Sequence, residues 1–326
     1  MKKLFFTFTM ALFAITTNAT VWIVNNNEID ENRDFDQIQT AIDSYLVAVG
    51  DTLYVQGSTD FYNDFNCNKR LTIIGPGYLL NENYVSANLL NAKVRNVSFI
   101  SGSEGSQIIG MTIIGYSNDF NIWVNNITVK RCYINPELEL GEIQGAFLIN
   151  NYLNGGIDNG YSSSFFKEVN VINNIIGRVQ TSVDSDFSIF ENNILKSSSY
   201  SFNSAYFRNN IVLDDDPSFN INSGVKTNNI GTNGLFNDPN NFNVTNINDL
   251  FVGGESPDAR YILSENSFAK GKGHDGADCG IFGGDNPLNH YILSGLPTIP
   301  VITELDTDGI GTKENGLNVK IGVKSF

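Results

Sequence analysis

The chain has 326 residues, of which 35 are acidic and 20 are basic, and its formal net charge is −15. This acidic balance argues against nucleic acid as a partner, because a negative surface repels phosphate backbones. The three cysteines, Cys67, Cys132 and Cys279, have wide, unpatterned spacing that argues against a disulfide framework, so we expect them to be small core residues.

The N-terminus, residues 1–19, has the pattern of a secretory signal peptide. Met1-Lys2-Lys3 is basic, the run from Leu4 to Ile15 is apolar, and the stretch ends in small residues at Ala19. The apolar run is too short to span a membrane, and no other long apolar run follows it. We therefore predict cleavage near Ala19 and a secreted protein that is extracellular, attached to the cell surface or periplasmic, without a transmembrane span in the mature chain.

Residues 35–47 predict an amphipathic helix. Asp34 or Asp36 can cap its start, and Gly50-Asp51 marks a turn after its end. The apolar face of such a helix would cover the open end of a repeat protein's core. That face consists of Phe35, Ile38, Ala41, Ile42 and Tyr45.

The middle of the chain repeats two asparagines followed by apolar residues. The first residues of successive pairs are 23, 19, 17 and 19 positions apart, which is typical of solenoid repeats. Short runs of Val, Ile, Phe and Tyr between the pairs predict strands rather than helices. Stacked units of this kind bury their apolar faces in a right-handed parallel solenoid. The pairs are Asn150-Asn151, Asn173-Asn174, Asn192-Asn193, Asn209-Asn210 and Asn228-Asn229.

These asparagine pairs have a structural explanation. Asparagine tolerates the left-handed backbone conformation that tight turns require. Equivalent residues in successive coils would stack about 4.8 Å apart, and their amides can both donate and accept along the column. We therefore interpret all of the paired asparagines as a structural ladder rather than as sugar-binding residues.

Two segments resemble pectin-lyase-like right-handed β-helix proteins. Residues 35–43, followed by Gly50-Asp51-Thr52-Leu53-Tyr54-Val55, are similar to the capping helix and first strand of that family. Residues 267–284, which include Gly271-Lys272-Gly273, are similar to a glycine-rich terminal segment of secreted bacterial β-helices. The resemblance covers roughly residues 20–290. It implies the fold but no particular activity, because this architecture serves lyases, hydrolases, adhesins and surface proteins alike.

We therefore predict an all-β protein, a right-handed parallel β-helix solenoid with an N-terminal capping helix, about eight coils and a short C-terminal extension. The predicted divisions are a signal peptide at 1–19, the β-helix at 20–290 with its cap helix at about 35–47 and a Gly-rich C-terminal cap, and a linker and strand tail at 291–326. In the tail, Leu317, Val319, Ile321 and Val323 alternate with polar residues or glycine, and we expect a final strand that packs back on the β-helix.

The resemblance also suggests which residues to consider for catalysis. Pectate-type lyases of this superfamily combine aspartate ligands for Ca²⁺ with an Arg or Lys base on one sheet face. The catalytic candidates here are Arg131 and Arg208, which could lie near one another on successive coils, with Asp184 and Asp186 in loops. Solvated loop charge is the simpler interpretation of these residues. The candidate Ca²⁺ ligands are Asp214, Asp215, Asp216, Asp306 and Asp308.

Polygalacturonase-type hydrolysis has less support in the sequence. The Asn-Thr-Asp and Gly-His-Gly type motifs of those enzymes are missing, and the two histidines, His274 and His290, fall in the terminal region. His274 lies in a turn-like Gly-His-Asp-Gly context, so we expect an exposed loop residue rather than a general base.

Two functions are therefore considered. The first is a non-enzymatic secreted or cell-surface scaffold that binds an extracellular polysaccharide or a surface protein. The alternative is a Ca²⁺-assisted polysaccharide lyase; the sequence specifies no cofactor, although its acidity is compatible with Ca²⁺. Loop aromatic residues could stack on sugar rings in the first case, and packing within the β-helix explains them at least as well. They are Tyr116, Phe120, Tyr161, Phe165, Phe166 and Tyr200.

Overall fold

A computed structural model describes residues 19–27, 32–116, 119–159, 165–182, 184–197, 201–216, 219–284, 290–307, 309–313 and 316–325. Over these residues the protein is an all-β, right-handed parallel β-helix of about nine turns. The predicted fold class is thereby confirmed. The signal peptide predicted for residues 1–19 lies almost wholly outside the described residues and stays a prediction, as do the domain boundaries.

The first of three parallel sheets holds ten strands within the described residues. In each full turn the chain passes through the first, second and third sheets in that order. The strands of the first sheet are Val21–Val24, Thr52–Val55, Thr72–Ile74, Gln107–Ile109, Thr128–Lys130, Phe147–Ile149, Val169–Ile172, Asp186–Glu191, Asn203–Arg208 and Val225–Thr227.

The second and third sheets hold nine and six strands of the described chain. The second sheet consists of Lys93–Val94, Thr112–Ile113, Tyr133–Ile134, Tyr152–Leu153, Ile175–Ile176, Ile194–Leu195, Ile211–Val212, Ile230–Thr232 and Phe242–Val244. The third sheet consists of Phe65–Cys67, Val97–Phe99, Phe120–Ile122, Leu138–Leu140, Ile157–Asp158 and Val179–Gln180.

Short helices and one hairpin complete the described elements. The α-helices are Ile38–Asp43 and Leu80–Asn83, and the 3₁₀ helices are Ile247–Leu250, Ala259–Tyr261, His274–Gly276 and Leu293–Gly295. Strands Val301–Thr307 and Val319–Lys324 pair in an antiparallel hairpin. No helix of the described chain is long and apolar enough to cross a membrane.

The N-terminal helix is shorter than predicted. It covers Ile38–Asp43 instead of 35–47, and it buries Ile38, Ala41 and Ile42 as expected. Its N-cap is Gln37, which makes no side-chain cap, so the predicted capping by Asp34 or Asp36 is wrong. The Asp34 carboxylate instead accepts a hydrogen bond from the Ile23 N–H at 2.7 Å. Because the helix ends at Asp43, Tyr45 leaves the predicted apolar face and is 93 % exposed.

The main core lies inside the coils, where inward side chains of the three sheets meet. Its later turns are filled by phenylalanine rings, such as Phe187, Phe190 and Phe207, all fully buried. The centroids of the Phe187 and Phe190 rings are 5.4 Å apart, and those of Phe190 and Phe207 are 5.5 Å apart. Burying each such ring contributes about 1.5–3 kcal/mol, so the stacked coils are held mainly by this continuous core.

The second sheet is buried on both faces. Ile176 and Leu195 point into the main core, while Ile175 and Ile194 pack in a second core between this sheet and the C-terminal segment. Residues Ile281 and Tyr291 of that segment belong to the second core. Strands of a sheet that is covered on both sides have consecutive apolar residues instead of alternating ones. This explains the two consecutive apolar residues after each asparagine pair.

The first asparagine of each pair belongs to what we call the outer column: Asn150, Asn173, Asn192, Asn209 and Asn228. All five have positive φ, between 55° and 60°, as predicted for tight turns. Their side chains hold the returning C-terminal segment. The Asn173 Nδ2, for example, donates to the carbonyls of Ile281 and Gly283 at 2.7 and 3.0 Å. The glycine-rich stretch that we expected as a terminal cap therefore lies along several coils.

The second asparagine of each pair belongs to what we call the inner ladder: Asn151, Asn174, Asn193, Asn210 and Asn229, with Asn241 as a sixth member. Each Nδ2 donates to the Oδ1 of the next member at 2.8–3.1 Å. Each Oδ1 also accepts a backbone N–H from the preceding coil, as from Asn151 to Asn174 at 2.8 Å. These buried amides are thus fully paired. The predicted ladder is present for the second asparagine of each pair, whereas the first asparagines bond mainly to the C-terminal segment.

The three cysteines, Cys67, Cys132 and Cys279, are buried and free, so their prediction as small core residues is confirmed.

The tail strand Val319–Lys324 pairs with Val301–Thr307 rather than directly with a coil. The hairpin is joined to the β-helix by the Ala87 N–H, which donates to the Ile302 carbonyl at 2.8 Å.

Candidate functional site

The outer face of the first sheet presents two rows of side chains that point away from the core. Parallel pairing in register places equivalent residues side by side, about 4.8 Å apart from strand to strand, over a length of about 38 Å. One row contains Thr52, Thr72, Gln107, Thr128, Phe147, Asn170, Ile189, Tyr206 and Val225. The other contains Tyr54, Ile74, Ile109, Lys130, Ile149, Ile172, Glu191, Arg208 and Thr227.

Two aromatic rings stand on this face in the same row. Phe147 is 40 % exposed and Tyr206 is 50 % exposed, although both belong to strands of the sheet. Asn170 and Ile189 lie between them in register, so three strand spacings, about 14 Å, separate the two rings. Half-exposed aromatic rings on the outer face of a sheet can stack on a ligand without a change in the backbone.

A charged pair lies beside Tyr206. The Arg208 Nη2 is 3.0 Å from the Glu191 Oε2, and the Arg208 guanidinium carbon is 5.9 Å from the centroid of the Tyr206 ring. The Arg208 Nε is buried without a hydrogen-bond partner in the described chain. In the same row, burial lowers the pKa of Lys130, and the charge of neighbouring Arg131 lowers it further. The face thus combines aromatic rings with positively and negatively charged side chains that can donate and accept hydrogen bonds.

Arg131 and Arg208, predicted as neighbours on successive coils, do not meet. Arg131 occupies the outer-column position one coil before Asn150, which places it four coils from Arg208. It is buried, and its Nη1 donates to the Leu296 carbonyl at 2.6 Å. Arg131 therefore helps to hold the C-terminal segment and does not reach the outer face of the first sheet.

The two catalytic carboxylate candidates also lie apart from Arg131. Asp184 is exposed, and among the described residues its one contact is through its backbone carbonyl, which accepts from the Lys167 Nζ at 2.7 Å. Asp186 begins the strand Asp186–Glu191 and pairs in register with Asn203. The structure does not gather these residues with Arg131 into a single site.

The candidate Ca²⁺ ligands are separated as well. Asp214, Asp215 and Asp216 follow a strand of the second sheet, and the Asp215 carboxylate accepts a hydrogen bond from the Asn233 side chain. Asp306 lies in the C-terminal hairpin, and Asp308 falls outside the described residues. Over the described part of the chain, no three His, Cys, Asp or Glu side chains form a group that could hold a metal ion.

Several of the predicted stacking residues are in the core. Phe120 and Phe166 are fully buried, so their prediction as exposed loop residues is wrong. Phe120 begins a strand of the third sheet and packs on Phe99, and Phe166 packs on Phe187 with ring centroids 4.9 Å apart. Of the other four candidates, Tyr116 and Phe165 are exposed, and Tyr161 and Tyr200 lie outside the described residues.

Sequence reasoning missed Phe147 and Tyr206, although a signal for both exists. Each lies three positions before an outer-column asparagine, at Asn150 and Asn209 respectively. Aligning the repeats on that asparagine shows the alternation along each strand, in which the positions three and one before it point outward. His274, in contrast, lies in an exposed turn beside Asp275, as expected.

No protein-family model matches the chain, and no curated protein or solved structure matches it either. The β-helix is consistent with the pectin-lyase-like fold in its architecture.

Proposed function

We propose that the protein is a secreted or cell-surface, pectin-lyase-like β-helix that binds polysaccharide on the outer face of the first sheet, without catalysing a reaction. The observation that carries this proposal is the pair of half-exposed rings, Phe147 and Tyr206, in one row of a sheet of ten described strands. The C-terminal segment covers the second sheet, whereas side chains on the outer face of the first sheet are exposed, so a polymer can lie on that face.

Polysaccharide is supported by the mixture of groups on this face. Aromatic rings stack on the C–H faces of sugars, while the side chains of Asn170 and Gln107 can hydrogen-bond to hydroxyls. Glu191 and Arg208 neutralise each other, so the face itself carries little net charge there. The acidic chain as a whole is a poor partner for nucleic acid.

The test is retention of the protein on immobilised polysaccharides, with the single variants Phe147→Ala and Tyr206→Ala. Each should weaken binding about 2- to 10-fold, because one stacking contact is lost. Tyr45→Ala is the matched control, since Tyr45 is an exposed aromatic residue that follows the N-terminal helix and belongs to no strand of the first sheet, and it should bind like the wild type. Equal retention of all variants, or no retention of the wild type on any polymer, would refute the proposal.

A Ca²⁺-assisted lyase is the alternative, and the dispersed positions of Asp184, Asp186 and Asp214 give it no specific support. The same preparations decide between the two functions. A chelator-sensitive rise in the absorbance of unsaturated products on uronic-acid polymers would favour the lyase. Retention without such products would favour the binding protein.

A further inference from the structure

A cleft of about 360 Å³ lies between the first coils and the base of the C-terminal hairpin. The coils contribute Tyr54, Gln56 and Pro76, and the chain entering the hairpin contributes Pro297 and Pro300. Small-molecule sites in proteins have volumes of about 300–1,000 Å³, so this cleft can hold one ring-sized ligand.

The outer wall of the cleft is fixed to the β-helix. The Ala87 N–H donates to the Ile302 carbonyl at 2.8 Å, and Ile302 is in the first hairpin strand. Leu305 of the same strand also lines the cleft and is 57 % exposed. The wall is therefore held in place at its base while its apolar side chains stay accessible.

The chemistry of the lining indicates a neutral ligand. None of the described side chains that line the cleft carries a charge. A charged ligand would lose water there without gaining a counter-charge, which is unfavourable. The flat faces of the Tyr54 ring and of the prolines suit a ring with an apolar face.

Neutral hydrogen-bonding groups lie among these apolar walls. The Tyr54 hydroxyl has no hydrogen-bond partner among the described residues, and burial raises the pKa of this phenol, so it stays protonated. Gln56 lines the cleft, and its Oε1 accepts from the Asn25 Nδ2 at 3.0 Å, which leaves its Nε2 to donate to a ligand. A ligand with hydroxyl groups around an apolar ring can use both groups.

We propose that this cleft binds one neutral pyranose unit, supplied by a free monosaccharide or by the end of a polysaccharide chain. The inference rests on the proposed function in assuming a carbohydrate ligand, and it adds the class of sugar and a second site. Tyr54 lies in the outward row that contains Ile149 and Arg208, so a polymer on the first sheet would reach the cleft with one end.

The experiment is saturation-transfer NMR of the full chain with the methyl glycosides of glucose, galactose and mannose, and with galacturonate. At least one neutral glycoside should bind saturably. Tyr54→Phe, which removes only the hydroxyl, should weaken that binding about 2- to 10-fold. Leu305→Trp should abolish it by filling the cleft, and Leu317→Trp is the matched control on the same tail. Leu305 and Leu317 are both exposed, so circular dichroism of the two variants should match the wild type.

The outcomes separate this inference from the proposed function. Saturable binding that Leu305→Trp removes and Leu317→Trp leaves unchanged supports the cleft site. Its competition by polysaccharide identifies a chain end as the source, and absence of competition identifies a free sugar. If polysaccharide is retained through Phe147 and Tyr206 but no glycoside binds, the cleft inference is overturned and the proposed function stands. Galacturonate that binds as tightly as any neutral glycoside would also overturn it.

Discussion

The Asn241 Nδ2 lies 2.9 and 2.8 Å from the two carboxylate oxygens of Asp238, and this contact ends the inner ladder. Along the ladder every amide donates to the next one, so the amide dipoles point the same way and the donor end emerges at the last coil. A carboxylate at that end compensates its partial positive charge, as an acidic side chain does at a helix N-terminus. Asp238 thus caps a column of side chains.

Removing this cap should destabilise the last coils. Asp238→Ala is expected to lower the free energy of unfolding of that end by about 1.5–3 kcal/mol, because a hydrogen bond to a charged group is lost. Thermal unfolding followed by circular dichroism measures the shift in midpoint. Asp184→Ala is the control, since the exposed Asp184 side chain makes no hydrogen bond in the described chain. Equal midpoints for the two variants would contradict a capping role.

An interruption within the inner ladder should cost more. The Asn193 Oδ1 accepts from the backbone N and the Nδ2 of Asn174, and its Nδ2 donates to the Val171 carbonyl. Asn193→Ala leaves these buried groups unsatisfied, and we expect a loss of about 3 kcal/mol or more in chemical denaturation. Asn170→Ala, on the solvent side of the same coils, should change stability by less than about 1 kcal/mol. A comparable loss in both variants would show that the ladder contributes little.

The outer column should respond to backbone conformation as well as to hydrogen bonding. Asn192 has φ of 56° and donates to the Asp278 and Gly280 carbonyls. Asn192→Gly and Asn192→Ala both lose these bonds, but only glycine adopts this conformation freely. The glycine variant should therefore be more stable than the alanine variant by about 1 kcal/mol in equilibrium unfolding. The opposite order would mean that the turn changes conformation in the variants.

The sequence predicts the coils well because each repeat carries its own turn signal. The five asparagine pairs mark both the outer column and the inner ladder, because left-handed turns and buried amides each favour asparagine. Asn241 was missed because only 12 positions separate it from Asn229, and the last coil is shorter than the others. The candidate site depends on strand register instead. Phe147 points outward from its strand, whereas Phe120 points inward. Composition alone does not show whether an aromatic residue lies in a loop, on the outer face of a strand or in the core.

Alkaline pH should destabilise the first coils through Tyr62. Burial raises the pKa of Tyr62 from its ordinary value of 10.0 to about 12. Its hydroxyl donates to the Gln56 carbonyl at 2.8 Å. Because the unfolded chain loses this proton first, the stabilisation is complete below pH 10 and is lost as the pH rises toward 12. Melting temperatures over that interval should fall less steeply for Tyr62→Phe than for the wild type. Tyr45→Phe, at an exposed tyrosine, should follow the wild type, and parallel curves for all three would refute this assignment.

The buried thiols should be unreactive in the folded protein. Burial raises the pKa of Cys67 to about 11 and that of Cys132 to about 12, so almost no thiolate forms at pH 8. An aromatic disulfide reagent should therefore modify none of the three cysteines under native conditions and all three in denaturant. Rapid modification of the native protein would show that the coils open locally.

The Tyr78 and Tyr291 hydroxyls hydrogen-bond to each other although 213 positions of the chain separate the two residues. Bonds between neighbouring coils join residues only about 20 positions apart. Coils can form one after another as the chain emerges, since each needs only the one before it. The second core has to wait for the last 80 or so residues to return along the stack. Long loop closures of this kind slow folding, so the protein should form its sheets early and cover the second sheet in a separate, later step.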